Sequence, residues 1–174
     1  WGDFDAYAHS TIDILDNFTV EKLLQSIIPD EVYYLAAYHH SSEDALENNT
    51  LLLEKSYDIN VKWYINFLEA IRKYSPSTRI FYAASSLIFW GTDTNAQDET
   101  TLPCPNSIYG ITKLDEMFLW KLYRNNYNIF TTSGILYNHE SEYRSPKFIT
   151  MKIIKWALNI KNWKSDKLVL WDLS

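Results

Sequence analysis

Several things are scarce in this chain of 174 residues, and each scarcity removes a class of function. Cys104 is its one cysteine. No disulfide can close within the chain and no cysteine-built metal cluster can form, which fits a reducing, cytoplasmic setting. Basic residues are outnumbered, 16 Lys and Arg against 22 Asp and Glu, for a net charge of −6, and they form no cluster. A phosphate backbone would meet an acidic protein, so nucleic acid is not an expected partner, whereas a small anion at a locally basic site is compatible. No apolar run is long enough to cross a bilayer and no signal peptide pattern is present, so no membrane association is expected. Glycine is limited to Gly2, Gly91, Gly110 and Gly134. The first residue is Trp1, inside what reads as a strand end, and a natural start further upstream is expected.

What is present describes an ordinary folded domain. The apolar fraction of 47% and charged fraction of 22% are typical of globular chains, and the length supports one domain with a core. Aromatic residues are abundant, with seven Trp, thirteen Tyr and eight Phe. Two largely apolar runs without clean alternation, Glu31 to Ala37 and Arg79 to Gly91, read as parallel strands covered on both faces. A third runs from Ile129 to Asn138, and KLVLWDL near the end is a fourth candidate. Helical patterns precede the first three: TVEKLLQSII, the amphipathic stretch from Asp58 to Tyr74, and Tyr109 to Asn126. The segment from Ser41 to Lys55, rich in Glu and Asn, reads as a solvated loop or short exposed helix. Strands alternating with helices predict an α/β fold with a doubly wound parallel sheet of Rossmann type.

In such a sheet ligands bind outside the carboxyl ends of the strands. That rule gathers Asp3, the run Tyr38-His39-His40, Ser85 and Ser86, and Asn138-His139-Glu140 at one edge. The segment NSIYGITK adds Tyr109 and Lys113, four residues apart and on one side of a helix. Taken alone, that spacing is as well explained by an exposed helical pair.

The surrounding motifs decide the matter. WGDFDAYAHS, PDEVYYLAAYHH, FLEAIR, FYAASSLIFWG, NSIYGITK and GILYNHESEYRSPKFITMKI together resemble the extended short-chain dehydrogenase/reductases, and within them the GDP-mannose 4,6-dehydratases. The NHES segment is more specific to that subgroup than Y-x-x-x-K, and the likeness covers nearly the whole chain. The resemblance implies that Tyr109 is the acid/base group, that Lys113 lowers its pKa and holds the cofactor ribose, and that Ser86 completes the catalytic set. A free tyrosine titrates near ~10, so a neighbouring cation is what would make it a usable base. The resemblance further implies NADP or NAD as cofactor, with Asp3 and Phe4 at the adenine. Leu35, Ala36, Ala37, Tyr38 and His39 would pass along the dinucleotide, with Tyr57, Lys113, His139 and Arg144 also in contact. Asn138 and Glu140 would meet the substrate, a nucleotide sugar that is most simply GDP-linked.

The glycine-rich turn that binds the pyrophosphate in this family is absent and belongs upstream of Trp1. By this comparison the chain is a partial NAD(P)-binding domain lacking the first βαβ unit and most of the C-terminal substrate domain. The substrate-binding region would begin at about residue 138. The family also carries an acidic residue in the second strand motif, T-x-E, where this chain has Leu87 and Ile88. Neither can exchange a proton, and Glu140 is the nearest candidate for a substitute, although a structural role suits it better. Further departures are Tyr38-His39, Ile108 and Glu142-Tyr143, the last of which removes an arginine near the diphosphate. Three readings follow: a dehydratase relative with altered elimination, a GDP-sugar 4-ketoreductase or epimerase, or a non-catalytic sugar-nucleotide-binding homologue.

Other features read more plainly. His39 and His40 have no third ligand at zinc spacing, and no metal is expected. Asn138 serves a turn cap and a sugar contact equally well. Cys104, between two prolines, is a loop residue. Trp120 and Trp156 suit a core or a subunit interface. The resemblance implies a homo-dimer or homo-tetramer in which the helix from Ile111 to Tyr123 forms part of a four-helix contact.

Overall fold

The computed structural model describes residues 13, 15–39, 48–92, 96–146, 148–164 and 167. They fall into two compact units, Trp1–Tyr137 and Asn138–Ser174. In the first, the earliest element among the described residues is helix α1, Asn17–Ile27. Asp16 caps it, accepting from the Phe18 N–H at 3.1 Å and from Thr19 Oγ1 at 2.6 Å. The helix stops at Ile28, which takes a left-handed conformation (φ 46°) and returns its N–H to the Leu24 carbonyl. Pro29 follows and cannot extend the helical bonding.

Strand β1, Glu31–Tyr34, comes next. After it lies a long helical passage in three parts: α2, Asn49–Ser56; a π-helical turn, Tyr57–Lys62; and α3, Trp63–Tyr74. Strand β2, Arg79–Ser85, runs into a single 3₁₀ turn, Ser86–Phe89. Helix α4, Ile108–Tyr127, and strand β3, Thr131–Leu136, complete this unit. The sheet is parallel in the order β1-β2-β3. Tyr34 stands beside Tyr82, and Tyr82 beside Ser133.

One face of this sheet carries the core. Ile80, Tyr82 and Ala84 alternate along β2 and are buried with Tyr34 under Tyr64, Phe67, Leu68 and Ile71 of α3. Tyr34 lies 5.2 Å from Tyr64 and 5.3 Å from Phe67 between ring centroids, and Tyr64 lies 5.0 Å from Tyr82. Such tilted and edge-on pairs contribute about 0.5–1.5 kcal/mol each beyond the area they bury. The other face holds Tyr33, which is exposed, and Phe81, 5.9 Å away. Gly134 lies beneath the Phe81 ring, where a Cβ would come within 2.8 Å of it. β2 alternates in burial, with Ile80, Tyr82 and Ala84 buried and Phe81, Ala83 and Ser85 half-buried between them.

The strands are also shorter than the apolar runs that announced them. β1 stops at Tyr34, so Leu35 to His39 leave the sheet as an extended exit. β2 stops at Ser85, because the Ser85 hydroxyl accepts the Leu87 N–H at 3.2 Å and turns the chain. Leu87 to Phe89, read as strand, are helical turn with Ile88 and Phe89 buried. The Asn- and Glu-rich segment ends in the real helix α2, capped by Asn48. The fourth strand candidate, and Asp3 and Phe4, lie outside the described residues. The second unit contains helix α5, Ile149–Lys161. No helix among the described residues is long and apolar enough to cross a membrane.

Candidate active site

The first turn of α4 is built to lie hard against the exit of β2. Ser107 caps the helix through its hydroxyl, which accepts the Gly110 N–H at 3.1 Å. A Cβ on Gly110 would sit 2.7 Å from the Leu87 carbonyl oxygen and 3.1 Å from Pro105. Only glycine allows backbone and backbone to approach this closely. The consequence is that Tyr109 is brought to the same edge as the turn beginning at Ser86, which is half-buried at the carboxyl end of β2.

The exit of β1 is fixed to the same helix by a residue that the sequence reading did not single out. Asn60, fully buried in the π-helical turn, accepts the Tyr38 N–H at 2.7 Å and donates to the Tyr38 carbonyl at 3.3 Å. Its amide also donates to Thr112 Oγ1 at 2.9 Å, and Thr112 in turn donates to the Tyr109 carbonyl at 3.0 Å. This arrangement brings His39 to Tyr109, with ring centroids 4.8 Å apart and the rings edge to face. A lone Asn inside a helical pattern carries no sequence signal. The one available clue was that a polar residue stands on the apolar side of the Asp58–Tyr74 stretch.

Tyr109 and Lys113 do lie on one side of α4, with the Lys113 Nζ 5.7 Å from the Tyr109 ring centroid. The lysine is not at the surface, however: it is 1% exposed. Its Nζ is 3.1 Å from Oε2 of Glu116, itself fully buried. Tyr82 donates a hydrogen bond to the same carboxylate oxygen. The lysine also stands over the Tyr82 ring, 4.7 Å from its centroid.

Two influences act on the Tyr109 hydroxyl in these surroundings. Burial first, and then the Glu116 carboxylate, push Tyr109 up to about 12. Burial lowers Lys113 while Glu116 raises it, and burial raises Glu116 to about 7 against the opposing pull of Lys113 and Tyr82. A lysine neutralised by a carboxylate offers its neighbouring phenol little net positive charge.

Of the remaining expected cofactor residues, Leu35 and Ala37 are exposed and Ala36 is half-buried on the β1 exit. Tyr57 lies on a different flank of α4, where its hydroxyl donates to Asp115 at 2.7 Å. In the second unit Arg144 stands 3.6 Å from Glu140 and 3.7 Å from the centroid of Phe148. Asn138 and His139 are exposed in the same segment. No group of three or more His, Cys, Asp or Glu among the described residues could hold a metal ion.

A parallel sheet with helices, and a tyrosine–lysine pair on the helix that follows a strand ending in serine, define a Rossmann-type domain of the short-chain dehydrogenase/reductase class. Solved structures share this fold. RMD from Pseudomonas aeruginosa complexed with NADPH superimposes with a TM-score of 0.76 at 19% identity, covering 87% of this chain and 50% of that one. UDP-glucuronic acid 4-epimerase from Bacillus cereus in complex with NAD gives 0.68 at 26% identity, with 83% and 44% covered.

The family model of GDP-mannose 4,6 dehydratase matches residues 4–174, and the chain belongs to that family. GDP-mannose 4,6-dehydratase of Vibrio cholerae is 32% identical over 150 residues, 85% of this chain and 39% of that protein. GDP-mannose 4,6 dehydratase 2 of Arabidopsis thaliana is 32% identical over 164 residues, 92% and 43%. The chain thus spans about two-fifths of the length of these relatives.

Proposed function

We propose that this chain forms part of a nucleotide-sugar-modifying enzyme resembling GDP-mannose 4,6-dehydratase, dependent on NADP or NAD. The observation that carries the proposal is the close seating of the α4 first turn on the β2 exit through Gly110. That seating supports a shared role for Tyr109 and the Ser86 turn, at the edge where α/β sheets bind ligands. The residues present suit a dinucleotide. The β1 exit is pinned by Asn60, His39 faces Tyr109, and a lysine lies within one helical turn of the tyrosine.

Bound NADP would supply a hydride acceptor and donor at the sugar. The protein's share is binding and proton transfer. Tyr109 exchanges a proton with the reacting sugar oxygen, and Ser86 steadies that oxygen with a hydrogen bond. Lys113 would hold the ribose, in competition with its ion pair to Glu116. His39 and the Leu35–Tyr38 backbone would line the dinucleotide, with Asp3 and Phe4, which lie outside the described residues, expected at the adenine. A Tyr57 contact would require its bond to Asp115 to break. Asn138, His139, Glu140 and Arg144, at the start of the substrate-binding region from about residue 138, would meet the sugar diphosphate and the cofactor.

A second reading is favoured by the β2 exit. Dehydration needs a group that removes the proton from sugar C5, and the resemblance sets Leu87 and Ile88 where the family carries its acid. Ile88 is fully buried. A GDP-sugar 4-ketoreductase or epimerase needs no acid there. A non-catalytic binding role remains the third reading.

Incubating the protein with GDP-mannose and NADP, followed by mass spectrometry of the nucleotide sugar, separates these readings. Loss of one water supports dehydration. Turnover of a 4-keto-6-deoxy GDP-sugar with NADPH supports ketoreduction, and binding without turnover supports the third reading. Tyr109→Phe should abolish any turnover, since it deletes the exchanging proton. Full activity in that variant would remove Tyr109 from the chemistry.

A further inference from the structure

Lys113 cannot meet a ligand where it stands. Its side chain is 2% exposed, with Nζ 3.1 Å from Glu116 Oε2 and 4.7 Å from the centroid of the Tyr82 ring. The Tyr109 ring centroid is farther away, at 5.7 Å. The ammonium is therefore held among core residues, and a ribose at the sheet edge can be served only if the lysine moves. Glu116 is fully buried as well. Its Oε2 also accepts from the Tyr82 hydroxyl, whereas Oε1 is buried without a hydrogen-bond partner. Lys113 is the one cation paired with this carboxylate among the described residues. Taking the lysine away would leave a buried charge uncompensated, which is costly unless the carboxylate is neutralised.

We propose that Glu116 is a positioning residue of the dinucleotide site. It holds Lys113 withdrawn in the core, and the lysine turns to the ribose only as the carboxylate left behind takes up one proton from solvent. The proposal deepens the reading of this edge as a dinucleotide site and rests on it. Before binding, an ammonium faces a carboxylate. Afterwards the ammonium serves the ribose hydroxyls, and Glu116 is a neutral acid that needs no cation. Oε1 is the open oxygen for that proton, since Oε2 keeps the Tyr82 hydroxyl. Binding is thus favoured by acid, and affinity falls as pH rises through the range in which the free carboxyl ionises.

Other titratable groups share this environment. Tyr34 of β1, Tyr64 of α3, Tyr82 of β2, and Tyr109 and Asp115 of α4 all lie close enough to interact with the Glu116 charge. Tyr34, Tyr64 and Tyr82 are raised by burial first and keep their protons through the neutral range. Burial raises Glu116 to about 7, Lys113 and the Tyr82 hydrogen bond oppose the rise, and Asp115 adds to it. Below about 7 the acid is already neutral before the ligand arrives, so affinity should be level with pH. Above it, the dissociation constant should rise by up to about tenfold per pH unit.

The test is calorimetry of NADH and NADPH binding to the full chain at about pH 8, in two buffers of different ionisation enthalpy, with infrared difference spectra of the same samples. At that pH the 2′-phosphate of NADPH no longer titrates, its pKa being about 6. The wild type should take up about one proton per dinucleotide bound. A protonated-carboxyl band should appear on binding and be missing from Glu116→Gln. Lys113→Met, whose carboxyl has no cation to lose, should bind with little uptake, and Tyr109→Phe should keep the uptake in full. Where a variant does not fold, the wild-type uptake and band decide. Wild-type binding without uptake, uptake without a carboxyl band, or uptake undiminished in Lys113→Met overturns the proposal and leaves the dinucleotide reading intact. Failure of every sample to bind either dinucleotide overturns that reading and the proposal with it.

Discussion

Asn60→Ala should be among the most damaging single changes outside the apolar core, and its cost can be worked from three contacts. The side chain accepts the Tyr38 N–H at 2.7 Å, donates to Thr112 Oγ1 at 2.9 Å, and donates to the Tyr38 carbonyl at 3.3 Å. A protein hydrogen bond is worth about 0.5–1.5 kcal/mol net, and the longest of the three belongs at the low end. The Tyr38 amide also loses its partner. Together these give a loss of about 2–4 kcal/mol. For a domain of this size that corresponds to a fall in melting temperature of roughly 5–15 °C. Denaturant unfolding of Asn60→Ala, Thr112→Val and the double variant would measure it, with a coupling of about 0.5–1.5 kcal/mol expected between the two sites. A loss below about 1 kcal/mol together with no coupling would refute the account of Asn60 as the tie between the β1 exit and α4.

Other outcomes follow from single features of the fold. Gly110→Ala should destabilise by about 1–3 kcal/mol, because its Cβ meets the Leu87 carbonyl and the first turn of α4 must move; unfolding together with any ligand affinity measures both effects. Tyr64→Phe should be neutral or stabilising by about 1 kcal/mol, since the Tyr64 hydroxyl is buried without a partner, and a clear loss of stability would reveal a bridging internal water. Glu116 titrates higher in the fold, at about 7, than its ordinary 4.5, so its contribution to stability is full below 4.5 and is lost as pH rises to about 7. Unfolding measured across that window should show this decline in the wild type and a flatter profile in Glu116→Gln.

The legibility of the chain varied from residue to residue for identifiable reasons. α4 was readable nearly to its ends, because its helical pattern runs unbroken from Tyr109 to Asn126 and the helix spans Ile108–Tyr127. Leu87 to Phe89 were misread as strand, because an apolar run has no period that separates a buried turn from a buried strand. Tyr109 and Lys113 could be paired from spacing, yet their charge states could not. Glu116, three residues beyond Lys113, has the spacing of an ordinary surface ion pair on a helix. Only the packing of Tyr82 and α3 around it shows that the pair lies in the core. Asn60 escaped notice for a similar reason, since its partners are 22 and 52 residues away.

The π-helical turn at Tyr57–Lys62 has a consequence for how this chain tolerates changes of length. A wide turn accommodates a residue more than the α-helical phase of its flanks requires. Removing one residue there would let α2 and α3 run on as a plain helix without rotating either, so the apolar side of α3 would stay on the sheet. The same deletion inside α3 would turn everything beyond it by about 100° and expose the core. Chains differing in length by one residue should therefore carry the difference at 57–62. Where they do, Asn60 would lose its inward position, and the β1 exit would have to be held by some other means.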